Sequence, residues 1–282
     1  MGELPAEARL GAIRLRTGDL ERLRAFYETT IGLETLAAVD GVTSLGADGA
    51  ALVELVDDPD APPRPPGTTG LFHLALLVPT RADLARTLRR VAGSGGRLSG
   101  ASDHLVSEAL YLSDPEGNGI ELYRDRPREE WPLSGDSVEM ATLPLDLDDL
   151  LAESGGEKAD AAMPPGTTLG HVHLQVADLD PAEAFWVDAL GLNVTARGYP
   201  GALFTSAGGY HHHVGLNTWA GVGAPSPPAG SRGLVRFELV LPDAAAVEAA
   251  AARLARVATV EEEDGGVVAA DPSGNAVLVR SS

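Results

Sequence analysis

The stretch Tyr210–Asn217, YHHHVGLN, sets three of the chain's seven histidines side by side. Adjacent imidazoles can ligate a divalent metal, move protons near neutral pH, or line a hydrated strand. The local context of His211, His212 and His213 does not choose among these. The other four are His73, His104, His171 and His173. There is no cysteine, which removes disulfides, thiolate nucleophiles and cysteine-based zinc or iron–sulfur centres.

Bulk properties narrow the partners. The 282 residues suffice for two domains, and 44% hydrophobic with 22% charged residues is ordinary for a globular chain. A net charge of −20 argues against nucleic acid and anionic membranes, which need clustered Lys and Arg. No apolar run approaches the ~18 residues of a membrane span. The acidic N-terminal stretch lacks the basic-then-apolar pattern of a signal peptide, so the cytoplasm is the expected compartment.

The elements that must carry the histidines are repeated. Gly11, Phe26 and Gly32 recur 159 positions later as Gly170, Phe185 and Gly191. Phe72–Leu84 recurs as Val235–Val247 at an offset of 163, and the offset falls to 157 at Pro115 and Pro272. Each of four units opens on an apolar strand, continues as an Ala/Leu/Arg helix capped at Asp19, Thr80, Asp178 or Asp243, and closes on short strands with glycine-rich turns. "GL" or "GG" after the first three helices marks left-handed C-caps. The pattern is βαβββ, four times, an α+β fold. One such unit leaves a sheet face bare, so units must pair. The expected organisation is residues 8–125 with units at 10–58 and 70–125, a Pro/Gly/acidic connector at 126–167 with partial structure around the apolar piece Thr142–Leu151, and residues 168–282 with units at 169–220 and 232–281.

Four βαβββ units with "FY…GL" and "DPxGN" signatures resemble the vicinal oxygen chelate superfamily, which includes glyoxalase I, bleomycin resistance proteins and extradiol dioxygenases. The resemblance implies that paired units curl into half-barrels around a divalent metal, with ligands from the first and last strands. The first-strand position is Ala12, His73, His171 and Arg236 in the four units, and the last-strand position is Glu121 in the second and Leu278 in the fourth. The resemblance therefore implies His73, His171 and Glu121 as metal ligands, a two-histidine, one-carboxylate set suited to non-haem Fe(II). It follows that the second unit pairs with the third in a metal barrel, within one chain or across a dimer interface, and the first with the fourth in a degenerate one. Glu54, Glu238 and Arg236 are read as remnants of the lost site, and Glu261–Asp264 as a solvated turn.

Ser102–Glu121, SDHLVSEALYLSDPEGNGIE, is similar to the extradiol ring-cleavage pattern through His104, Leu110–Tyr111, Asp114–Pro115, Gly117 and Glu121, departing at Ser102. The resemblance, most like the catechol 2,3-dioxygenase branch, implies Tyr111 and His104 as groups beside the bound substrate. His212 follows Gly208 by four residues, as Glu121 follows Gly117. Strand alternation with Val214 and Leu216 turns His212 into the cavity, where it is expected to act as the acid–base catalyst. His211 and His213 are expected at the surface or an interface, with substrate contact as their functional alternative. His173 is read as an ordinary strand residue, facing away from His171 or outside the sheet. The implied activity is extradiol cleavage of a small aromatic diol with O2 on Fe(II) or another divalent metal, with a homo-oligomer allowed. A glyoxalase-type lyase or isomerase using Ni or Zn, with His212 as fourth ligand, and a non-catalytic sequestering protein are the alternatives.

Overall fold

The computed structural model describes residues 2–135, 137–155 and 162–282. The four repeats fold as four βαβββ units. The first is β1 (Arg9–Thr17), α1 (Leu20–Phe26), β2 (Glu34–Val39), β3 (Val42–Ala47) and β4 (Ala50–Asp57). The second is β5 (Gly70–Leu77), α2 (Arg81–Gly93), β6 (Gly100–Asp103), β7 (Ser107–Ser113) and β8 (Gly119–Asp125). A connector follows, with β9 (Leu133–Ser134), β10 (Ser137–Val138), β11 (Leu143–Pro144) and α3 (Leu147–Ala152). The third unit is β12 (Thr168–Gln175), α4 (Leu179–Glu183), β13 (Asn193–Ala196), β14 (Ala202–Ser206) and β15 (Val214–Asn217). The fourth is β16 (Gly233–Leu241), α5 (Ala244–Leu254), β17 (Glu261–Glu263), β18 (Gly266–Ala270) and β19 (Ala276–Ser281).

The sequence signals act locally as their chemistry requires. Asp19, Thr80, Asp178 and Asp243 each accept a backbone N–H from the first helical turn, satisfying a donor the helix leaves free. α1 and α4 run on into π-helical turns at Tyr27–Ile31 and Ala184–Ala189, and Gly32, Gly95 and Gly191 take positive φ shortly after the first, second and third units' helical segments end.

Units pair through their first strands. β5 runs antiparallel to β12 in a sheet ordered β11-β6-β7-β8-β5-β12-β15-β14-β13. β1 runs antiparallel to β16 in a sheet ordered β17-β18-β19-β16-β1-β4-β3-β2. The second unit thus shares a curled sheet with the third, and the first with the fourth, as the histidine distribution implies. Alternation then sorts side chains. Leu74, Leu76, Val172 and Leu174 join the hydrophobic core with helix residues Leu84, Leu88 and Trp186. His73, Ala75, His171 and His173 take the other, concave face. The DPxGN turns tie the sheets together. Asp114 of the second unit accepts from Tyr27 of the first at 3.3 Å, and Asp271 of the fourth accepts from Trp186 of the third at 3.1 Å. No helix among the described residues is long and apolar enough to cross a membrane.

The connector does more than link. Its β11 adds to the edge of the nine-stranded sheet beside β6, and Asp149 and Glu153 of its helical segment accept from Arg81 on α2 at 2.7 and 3.1 Å.

Candidate metal centre and cavity

The site grows from a row across four strands. Tyr111 on β7 lies opposite Glu121 on β8, Glu121 beside Ala75 on β5, and Ala75 opposite His171 on β12. One step along, His73 faces His173. Ala75 sits between the two ligating types, and its small side chain leaves the space into which His171 and Glu121 lean. Glu121 Oε2 lies 3.0 Å from His73 Nε2 and 3.1 Å from His171 Nε2. The ligating atoms of all three lie within 4.8 Å of one another, and no other such group occurs among the described residues. All three are buried, at 6%, 3% and 1% relative exposure for His73, Glu121 and His171.

The donor chemistry fits a divalent cation. Burial pushes the His171 imidazole down to about 4, so it is neutral at pH 7 and keeps a lone pair to donate. Burial alone would raise the Glu121 carboxyl, but His171 and His73 beside it outweigh that and hold it well below the usual range. His73 Nε2 is buried without a hydrogen bond of good geometry, an orphan that a cation at this spot would satisfy. Two imidazoles and one carboxylate are a ligand set that leaves coordination positions open for exogenous molecules.

Above these residues opens a cavity of about 270 Å³. His73, Glu121, His104, Tyr111 and His212 line it, together with Phe72, Phe204, Trp219, Met140 and Thr142. His104 Nδ1 lies 2.6 Å from the Ala141 carbonyl and must donate to it; its Nε2 therefore accepts the Tyr111 hydroxyl at 2.7 Å. Both ring nitrogens of His104 are thus engaged, and its effect on the cavity runs through Tyr111. Burial and the nearby Glu121 charge push the Tyr111 hydroxyl well above its ordinary value, so it stays protonated.

The histidine triplet is not strand. β15 begins at Val214, and His211–His213 form the irregular approach to it. Val214 and Leu216 pair with Val172 and Leu174 on the core side, while Gly215 pairs with His173 on the cavity side. The apolar pair therefore marks the face opposite to the one expected. His212 nonetheless lines the cavity, because the chain leaves the ladder before reaching it. Its ring centroid lies 4.1 Å from that of His171 and 4.9 Å from that of Phe204.

His211 and His213 are not surface groups, and neither lines the cavity. His211 is fully buried, its Nε2 2.9 Å from Asp125 Oδ1 and its Nδ1 2.8 Å from His212 Nδ1. His213 accepts the Ala207 N–H at 3.2 Å and lies 3.1 Å from the Ser206 hydroxyl, with burial holding it down to about 4. Both face protein groups, which argues against substrate contact. Each packs in its loop because a buried imidazole needs two partners or a neutral state.

Sequence reasoning also misplaced His173. It lines the cavity, with its ring 5.0 Å from His73 and its Nε2 buried without a partner. The signal was present: a two-residue spacing puts His173 on the same face as His171. Its room comes from Gly215 on the next strand, where a Cβ would approach His173 Cδ2 to 2.9 Å.

In the second sheet the corresponding positions are occupied by ion pairs. Arg236 holds the place of His73 and bonds Glu263 and Asp264. Arg14 pairs with Glu54 at 2.7 Å, and Arg280 with Glu238 at 2.9 Å. Glu54, Glu238 and Arg236 are thus ion-paired; Glu261–Glu263, expected as part of a turn, forms the edge strand β17 instead, and its end and the following turn supply Glu263 and Asp264 as partners.

Comparison with known proteins bears on this geometry. Residues 9–122 match the family model of the glyoxalase/bleomycin resistance protein/dioxygenase superfamily, and residues 171–279 match that of a glyoxalase-like domain. The chain is 40% identical, over 99% of both sequences, to a catechol-2,3-dioxygenase of Bacillus subtilis strain 168. Among solved structures, that of a putative dioxygenase of Bacillus subtilis subsp. subtilis strain 168 superposes with a TM-score of 0.67 at 13% identity, covering 99% of this chain and 86% of the other. Glyoxalase I of Zea mays superposes with a TM-score of 0.59 at 16% identity, covering 97% and 92%. These structures share the fold, and the full-length sequence match goes further: the chain belongs to the glyoxalase/bleomycin resistance/dioxygenase superfamily.

Proposed function

We propose that the protein is a non-haem Fe(II) extradiol dioxygenase that opens the ring of a catechol-type diol with O2. The observation that carries the reading is the buried His73, Glu121 and His171 cluster beneath a largely apolar cavity that His212 and Tyr111 also line. The full-length match to a catechol-2,3-dioxygenase supports it. His73, His171 and Glu121 hold the metal. When bound, the ion supplies Lewis acidity that lowers the diol pKa and brings both reactants together.

The chain's own groups handle the protons. Asp125, as acceptor, keeps the His211 proton on Nε2. His211 Nδ1 then accepts from His212 Nδ1, which leaves His212 Nε2 with the free lone pair. Burial, with other imidazoles around it, holds His212 well below its ordinary value, so it enters the reaction neutral and takes a diol proton at Nε2. Tyr111, protonated and donating to His104, keeps its oxygen lone pairs free to accept a hydrogen bond from a substrate hydroxyl. His212 lies outside the tight ligand cluster, which favours the proton-transfer role over that of a fourth ligand. The reading places the enzyme in cytoplasmic breakdown of aromatic diols.

The test is oxygen uptake by anaerobically purified, iron-loaded protein with a panel of catechols. Uptake with a yellow ring-fission product is the expected result. Bound Ni or Zn with no uptake on any catechol would shift the assignment to a glyoxalase-type lyase or isomerase.

A further inference from the structure

We infer that a second hollow, separate from the cavity above the metal ligands, binds a small monocarboxylate through Arg64. The inference stands on the residues of that hollow and does not depend on the ring-cleavage reading.

It begins from a motif that ring cleavage does not use. Pro62, Pro63, Pro65 and Pro66 flank Arg64 in the loop between β4 and β5. Each proline ring fixes its own φ, and Pro65 also restricts the backbone of Arg64 before it. The loop is pinned on both sides of the arginine. The Pro62 carbonyl accepts the Arg232 N–H at 2.9 Å, and the Pro65 carbonyl accepts the Thr68 hydroxyl at 2.8 Å. Arg64 is thus presented from a backbone with little freedom left to lose on binding.

Its guanidinium is oriented in turn. Nη1 donates to the Leu71 carbonyl at 2.8 Å, which uses one of five N–H donors. A Cβ at Gly70 would come within 2.7 Å of Nη1, so the glycine keeps that seat open. Among the described residues no carboxylate pairs with Arg64, and Asp114 acts on it only through its field. That is unusual in a chain with 41 acidic residues against 21 Lys and Arg, and the nearby Arg232 is paired with Glu116 at 3.3 Å. Burial pushes the Arg64 guanidinium down from its ordinary value, as expected of a cation that has lost water without gaining a counter-charge. A bound anion would supply one.

The hollow around it has a volume of about 470 Å³. Phe72, His73 and Tyr111 divide it from the cavity above the metal ligands, and no other residue lines both. Ser99, Ser113 and Gln175 add neutral hydrogen-bonding groups, and Phe72, 38% exposed, brings apolar surface beside the charge. One forked cation with neutral polar groups and an aromatic ring fits a carboxylate on a ring or short chain. A dianion fits poorly. Glu116 lines the adjoining cleft with Arg64, and Asp114 lies within electrostatic reach, so a second negative charge would meet repulsion with a single unpaired cation to offset it.

The test is anaerobic titration calorimetry on the iron-loaded protein. Benzoate is the probe, benzamide its uncharged isostere and inorganic phosphate the competing anion. Benzoate is expected to bind at least tenfold more tightly than either. Arg64→Met is expected to weaken benzoate at least tenfold with metal content and melting temperature unchanged. Arg64→Lys keeps the charge but loses the fork, and its affinity is expected between the two. Benzoate affinity should stay within about twofold when 4-methylcatechol is saturating, because the two hollows are separate. Wild-type affinity in folded Arg64→Met or Arg64→Lys would overturn the inference. So would displacement of benzoate by the diol, which would place it above the metal ligands, or phosphate binding as tightly as benzoate. Binding is read without turnover, so failure of ring cleavage with every catechol would leave this result standing.

Discussion

The two curled sheets share one topology and differ in what fills their concave faces. Where the nine-stranded sheet sets His73 opposite His173, the eight-stranded sheet sets Arg236 opposite Arg14. Where the first has Gly215 beside His173, the second has Glu54 beside Arg14. The position of Ala75 is taken in the repeat by Glu238. Two small residues thus open a space into which imidazoles and a carboxylate converge, whereas in the other sheet the same two positions carry carboxylates that neutralise arginines. A site is lost by filling as well as by loss of ligands: even with a histidine restored at position 236, Glu238 and Glu54 would occupy its surroundings.

The largest effect should separate the sheets outright. His73→Ala, His171→Ala or Glu121→Ala is expected to cut metal affinity by more than the roughly 10–100-fold that losing an outer-sphere partner costs, and to abolish ring cleavage. Metal analysis of the purified variants checks this; Arg236→Met should leave metal content unchanged. Next, His212→Ala should lower kcat by about 10²–10⁴-fold with metal content intact, and parallel loss of metal would sink its role in proton transfer. Asp125→Asn should cost on the order of tenfold, the range for partners that orient a functional imidazole, and should move the pH–rate profile.

Stability against pH sharpens the comparison, since the histidines belong to one sheet only. Burial pushes His171 and His213 from 6.5 down to about 4. Between those values the unfolded chain binds more protons than the folded one. Stability is therefore full above about 6.5, falls as pH drops from there toward 4, and levels off below; a melting-temperature series across that window reads it. The smallest effect is Arg236→Met, expected to destabilise by about 1–2 kcal/mol in a denaturant titration. Arg236 is buried, but its partners Glu263 and Asp264 are 46% and 52% exposed, which places the pair near the weak end of ion pairs.

Much of this was legible from residue order. Repeat offsets gave the four units, capping residues gave the helix starts, and the unequal sharing of His73, His171 and Glu121 among units implied which strands pair. The errors were local and had local causes. Alternation treats the triplet as strand, but the chain enters β15 only at Val214, so the strand period does not govern His211–His213. The reading of His173 as a residue outside the site conflicts with its two-residue spacing from His171, which puts both on one face. The connector carries the partial structure expected of it, but residue order does not show where that structure docks, because short strands and isolated contacts such as His104 with Ala141 leave no periodic trace.

What the sequence determined by itself is therefore what periodicity and repetition encode: the βαβββ units, their partners across the sheet, and the residues at equivalent strand positions. Only the tertiary structure decided the second layer. It buried His211 between Asp125 and His212, tied His104 and Tyr111 to the connector, and lined the cavity above the metal ligands with aromatic rings. Those contacts join residues far apart in the chain, His211 to Asp125 across 86 positions, and the triplet end runs through irregular backbone, where neither a helical nor a strand period fixes the direction of a side chain.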